Sequence, residues 1–121
     1  MELALSQSYQ SPAEEIFLEL LRDLNLVHYA SDAAADMKFE GIEEFNEAVK
    51  RSIELCMYAG IPVNHNFKRV YKTSLNGIVY DWRVSELGYR LVCLNGSTFN
   101  PKVAKLQMEV LKASTVEFGS L

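Results

Sequence analysis

Histidines, cysteines and paired carboxylates are the residues with which this chain would do chemistry, and they are sparse and poorly spaced for it. The two cysteines, Cys56 and Cys93, and the two histidines, His28 and His65, lack the spacing of a structural zinc site. Each cysteine falls on the apolar face of a predicted helix, where a buried free thiol is the ordinary outcome. His65, Lys68 and Asp81 can be assembled into a site on paper, but a histidine in a turn is usually surface decoration. Glu14-Glu15 and Glu43-Glu44 are neighbours on solvated helix faces, whereas an acid/base dyad needs facing, partly buried carboxylates. The six glycines are scattered, so no phosphate-cradling loop is present. Neither a Gly-x-Ser-x-Gly nucleophile motif nor a paired-histidine metal motif occurs. The expectation is a protein that is not an enzyme and has no cofactor or metal.

Binding is the chemistry that the residues do suggest. Lys68, Arg69, Lys72 and Arg83 are interleaved with Tyr71, Tyr80 and Trp82 on one predicted hairpin. Cations with aromatics between them can hold phosphates and stack bases. The alternative is a ribbon that packs its aromatic side on helices and protects an exposed edge with lysines. Arg51, on the preceding helix, joins the candidate nucleic-acid-binding set of Arg51, Lys68, Arg69, Lys72 and Arg83. The net charge of −4 hides an asymmetry: residues 1–47 carry eleven acids and two bases, residues 48–121 ten bases and five acids. An acidic half and a basic half raise the question of a nucleic-acid or acidic partner.

The elements that position this hairpin follow from local signals. At 121 residues, 49% hydrophobic and 23% charged, the chain is one domain with an ordinary globular balance. No apolar run approaches the ~20 residues of a membrane span. Met1 to Ser11 lacks the positive start and apolar block of a signal peptide. The expectation is a cytoplasmic protein with no membrane partner. Met1–Gln10 reads as a tail, 11–113 as the domain and 114–121 as a second tail. Ser11-Pro12-Ala13-Glu14 is a helix start with a capping box, and Ile16, Phe17, Leu20, Leu21 and Leu24 form an apolar stripe up to a stop at Asn25. Leu26–Tyr29 is a strand or an extended connector, and a short helix follows from Ser31-Asp32 to Met37.

After a turn near Phe39-Glu40-Gly41, the residues Ile42, Phe45, Val49, Ile53 and Cys56 recur at steps of three and four, which predicts a helix. Gly60 and Pro62 end it. The short helix, turn and longer helix outline a helix-turn-helix, but a DNA-reading helix begins with Arg, Lys, Asn or Gln, and this one begins Glu43-Glu44. A packed helical pair is the better reading. Asn76-Gly77 marks the hairpin over residues 67–84. Ser85 caps a further helix with Leu87, Leu91 and Leu94 on its buried face. Asn100-Pro101 starts the last, with Val103, Leu106, Val110 and Leu111 inward and Lys102, Lys105 and Lys112 outward. The predicted class is α+β, a mostly helical single domain of about five helices with one β-hairpin.

The order of residues also resembles a known family. Tyr29-Ala30-Ser31-Asp32-Ala33-Ala34 with Met37-Lys38-Phe39 looks like the opening of the DNA-damage-inducible protein D family. Phe45, Val49, Cys56, Gly60 and Phe67 resemble its long helix, glycine turn and strand entry, with Asn66 where the family has His. Asp81-Trp82-Arg83-Val84-Ser85, Tyr89-Arg90-Leu91 and Asn95-Gly96 resemble its next run, with Val84 in place of Leu. Ala104 and Gln107 fall where the family has its final Ala-x-x-Gln helix. The layout is also similar to phage antirepressor N-terminal domains of the Bro and AntA/AntB kind. The resemblance spans about residues 27–112. It implies a bacterial, phage or mobile-element protein acting in the DNA-damage response or in prophage control. Two functions then stand: a regulatory domain that binds DNA or a DNA-acting protein through the basic hairpin, or a pure protein-interaction module acting on a repressor or recombinase without DNA contact. A homo-oligomer is compatible with both.

Overall fold

The computed structural model describes the backbone of residues 11–118 and the side chains of residues 11–113. The tail expected at Met1–Gln10 lies outside the described residues. Among the described residues the order is α1 (Pro12–Asn25), β1 (His28–Tyr29), α2 (Ala30–Asp36), α3 (Ile42–Ala59), a 3-10 turn (Val63–His65), β2 (Phe67–Ser74), β3 (Gly77–Val84), α4 (Glu86–Leu94) and α5 (Pro101–Phe118). The predicted α+β class and the hairpin are both present. No helix among the described residues is long and apolar enough to cross a membrane. The backbone of α5 continues through Phe118, past the end expected for the domain at residue 113.

The hairpin gains a third strand from the stretch that read as strand or connector. β1 pairs antiparallel with β3, His28 opposite Val84 and Tyr29 opposite Arg83, so β3 is central and the order is β1-β3-β2. The β2–β3 register sets Phe67 opposite Val84, Arg69 opposite Trp82 and Tyr71 opposite Tyr80. Gly77 takes φ +113°, while Leu75 and Asn76, the two residues of the turn, stay at negative φ. The Asn-Gly pair thus marks the hairpin, but its glycine sits just after the turn rather than at its centre.

The core forms where α2, α3 and α4 meet the base of the sheet. Ala30, Ala33, Phe45, Ala48, Val49, Cys56, Phe67, Val84, Val92 and Cys93 are buried together. The two alanines of α2 let its backbone approach closely, as their small size allows. Along α3, Phe45, Val49 and Cys56 are buried, Ile53 is half-buried and Ile42 is exposed. Gly60 caps α3 in the left-handed conformation at φ +74°, which favours glycine.

The buried face of α4 differs from the leucine stripe expected for it. Gly88, Val92 and Cys93 are buried, Leu91 and Leu94 are only half-buried, and Leu87 is exposed. Gly88 is the reason: a Cβ there would stand 2.8 Å from the Asn66 carbonyl oxygen and 3.0 Å from Val84 Cβ. The helix lies against the sheet along its glycine, and leucines on the neighbouring faces are rotated outward. On α5, Val103 is buried and Leu106 half-buried, but Val110 and Leu111 are exposed, contrary to the inward face expected for them. Only the first part of α5 lies against the domain.

Candidate binding groove

The pleat divides the basic hairpin residues between two faces. Lys68, Lys72 and Arg83 share one side with Val70, Asp81 and Val79; Arg69 shares the other with Tyr71, Tyr80 and Trp82. The two sides then meet different elements.

On the first side the cations are engaged internally. Lys68 Nζ donates to both carboxylate oxygens of Asp23 at 3.1 Å and lies 3.7 Å from Glu19, both on α1. Arg83 Nη2 donates to the carbonyls of Asp23 and Leu26 at 2.9 Å, satisfying the C-terminal end of α1. Lys72 Nζ is 2.8 Å from Asp81 Oδ2 and lies over the Tyr29 ring at 3.8 Å. Asp81 also accepts from Ser31 N and Oγ and from Trp82 N. It therefore caps the N-terminus of α2, a task that Tyr29, the N-cap residue, performs with no side-chain bond. Burial pushes the Asp81 carboxyl up, but the hydrogen bonds from Lys72, Ser31 and Trp82 outweigh it and hold its pKa below the ordinary value. The Lys72 ammonium is moved above its ordinary value, chiefly by its hydrogen bond to Asp81.

Arg51 stands apart from the hairpin. Its guanidinium donates to the carbonyl of Asn95 at the end of α4, 2.9 Å away, and lies 3.7 Å from Glu47 one turn earlier on α3. It borders a cleft lined by Glu40, Glu43, Glu44 and Glu47, not the aromatic ribbon. Within that cleft Glu44 accepts from the backbone of Glu40 and Ser97 and from Asn100 Nδ2. Partial burial works to raise its pKa, but these bonds prevail and lower it. The carboxylate thereby ties the α2–α3 turn to the start of α5.

His65, Lys68 and Asp81 are not brought together. His65 is exposed on the 3-10 turn, where its carbonyl accepts from Asn25 Nδ2, while Lys68 and Asp81 have the separate partners just described. His28 instead meets Glu86, Nε2 to Oε2 at 2.6 Å, and its ring lies 4.8 Å from that of Tyr89. The Tyr89 hydroxyl donates to Asp36 Oδ2, and that bond is the largest cause of its raised pKa. Cys56 and Cys93 are buried free thiols, each pushed above its ordinary pKa chiefly by desolvation. A buried, protonated thiol is a poor nucleophile.

The second side of the hairpin opens onto a groove. Val49, Phe45 and Ile53 of α3 face Trp82, Tyr80 and Ile78 of β3 across a depression of about 800 Å³. Ile42 and Asn46 extend it along α3, and Lys50, Glu54 and Arg69 supply its charge. Among the described residues Lys50 and Arg69 have no ion pair; the Lys50–Glu54 spacing allows a pair that does not form. The Arg69 guanidinium lies 4.2 Å from the centre of the Tyr80 ring and 5.8 Å from that of Trp82. Tyr80 in turn packs on Tyr71 with ring centres 5.1 Å apart. An apolar floor, an aromatic wall and two unpaired cations at the rim can take an apolar segment with acidic flanks. Of the residues singled out from sequence, only Arg69 of the basic set reaches this groove. The groove-lining part of α3 read as core, because its apolar spacing is the same whether a stripe is fully covered or left partly open. Searched against protein-family models, curated proteins and solved structures, the chain has no match.

Proposed function

We propose that this chain is a non-enzymatic, cytoplasmic regulatory domain that binds a protein partner through the groove between α3 and the hairpin. The partner fitting the resemblance to the damage-inducible protein D and antirepressor families is a DNA-acting protein, a repressor or recombinase. One observation carries the reading: three of the four hairpin cations are already held by acids or carbonyls of this chain, while the open side of the hairpin is an apolar, aromatic groove. Phosphate binding draws its strength from unpaired cations that release counterions. Withdrawing Lys68, Lys72 and Arg83 from that role leaves Arg69 and Lys50, too few to hold a duplex. Apolar grooves with a polar rim are the usual seats of amphipathic peptide segments.

A second reading has its own observation. Arg69 stacked on Tyr80, with Tyr71 and Trp82 beside it, is the kind of aromatic platform on which single-stranded bases stack. Two experiments separate the readings. Labelled single- and double-stranded oligonucleotides titrated with the chain at low salt give no saturable anisotropy change if the groove is a protein site. Saturable binding that weakens steeply with salt and is lost in Arg69→Glu replaces the protein reading with the nucleic-acid one. In the second experiment, a displayed-peptide selection returns apolar segments with acidic flanks. Their binding shifts the emission of Trp82, the single tryptophan of the chain.

A further inference from the structure

The outward face of α1 has no cover among the described residues, and its orientation is unusual. The helix is amphipathic, yet no residue of it is buried: Ile16, Phe17, Leu20, Leu21 and Leu24 are 46–74% exposed. Its acidic edge is the part turned to the domain, through Glu19 and Asp23 to Lys68. An exposed apolar stripe of this length marks a contact surface. The chain also contains a groove of the complementary kind. Phe17, Leu20, Leu21 and Leu24 follow the i, i+3, i+4, i+7 spacing with which a helix lies in an apolar groove.

We propose that the groove between α3 and the hairpin receives the apolar face of α1 from a second copy of this chain, two copies exchanging these contacts about a two-fold axis. The inference rests on the groove being a protein-binding site. Three observations select the second copy. The first is charge: α1 carries Glu14 and Glu15 at its free end, and the groove carries Lys50 and Arg69 without ion pairs. Laying one α1 stripe on another would instead set acid-flanked faces together, with Glu14 on one flank and Asp23 on the other, and like charges oppose that. The second is reach. α1 is fastened through Lys68 and Arg83 to the side of the hairpin opposite the one that lines the groove, so its stripe cannot enter the groove of its own copy. The third is closure: one face and one groove per copy are both satisfied by a single two-fold dimer.

Sedimentation of the full chain, from the micromolar range to about 1 mM, tests the proposal with two variants at exposed positions, Leu20→Asp on α1 and Ile78→Asp at the groove. The wild type associates with concentration, and each variant weakens association more than about tenfold. An equimolar mixture of the two variants associates again, because one intact α1 then meets one intact groove; this also shows that both variants are folded. A wild type that stays monomeric throughout overturns the proposal, as does an Ile78→Asp dimer as tight as the wild type. A failure of the groove itself reads differently: displayed peptides then leave Trp82 emission unchanged, whatever the oligomeric state.

Discussion

Asp81 is the side chain on which several links converge. It is only 4% exposed, and it meets the Lys72 ammonium, the Ser31 hydroxyl and two backbone N–H groups. Asp81→Asn removes the charge opposite Lys72 and weakens the cap on α2. We expect a loss of about 2–3 kcal/mol at neutral pH in urea denaturation, below the loss for a fully buried pair because Lys72 is 42% exposed. The pH dependence has a definite sign. The folded pKa of Asp81 lies below its ordinary 3.8, so its contribution is present above pH 3.8 and disappears as pH falls through the folded value. The stability gap between wild type and Asp81→Asn therefore closes in acid. The folded pKa of Lys72 lies above 10.5, so its contribution is complete below that pH and lost as pH rises through the folded value. The pair was within reach of sequence reasoning, because the hairpin register puts Lys72 and Asp81 diagonally on one face. Reading Lys72 as a phosphate ligand overlooked that an acid two residues from Val79, its cross-strand partner, is closer than any external anion.

At the scale of elements, helix and strand existence was legible because it rests on local chemistry. The Ser11–Glu14 capping box, the Ser85 cap and the Asn100 cap are all formed. Which face of a helix is covered was less legible, because that depends on what stands opposite. The leucines of α4 were the obvious inward set, yet the approach of Gly88 to Asn66 decides its rotation. Gly88→Ala tests this. The gain in helix propensity, about 1 kcal/mol, is opposed by a methyl 2.8 Å from a backbone carbonyl that the Ser85 N–H also holds. Overpacking against fixed backbone prevails, and we expect a net loss of about 1–2 kcal/mol in thermal or urea unfolding. The inverted seating of α1 was invisible from sequence, since its stripe resembles that of any core helix. With only polar ties holding it, α1 is the element to open first. Lys68→Ala should raise hydrogen-exchange rates across Pro12–Asn25 about tenfold while leaving those of α3 and α4 unchanged, and added salt should act in the same direction.

For the whole molecule, the acidic first half and basic second half take on a new meaning. The imbalance first suggested a polyanionic partner, but much of it is consumed within the fold, where Glu19 and Asp23 meet Lys68 and Glu47 meets Arg51. Charge here fastens the N-terminal helix to the hairpin and turns its apolar face outward, and no composition count can separate internal pairing from a surface field. The resulting molecule has a small core and two uncovered apolar surfaces, the α1 stripe and the groove. If each covers the other between copies, association and folding are linked, because the dimer binds only the folded chain. A tenfold rise in concentration then stabilises each chain by about 0.7 kcal/mol, half of the about 1.4 kcal/mol gained per dimer. For a domain of this size that is a rise in Tm of about 2–4 °C. Calorimetry of the wild type over two decades of concentration should show this slope. Leu20→Asp, which removes an apolar contact made only between copies, should give a Tm independent of concentration and equal to the wild-type value at high dilution. A wild-type Tm that is flat over the same range would mean that the two surfaces do not meet and that the groove is kept for another protein.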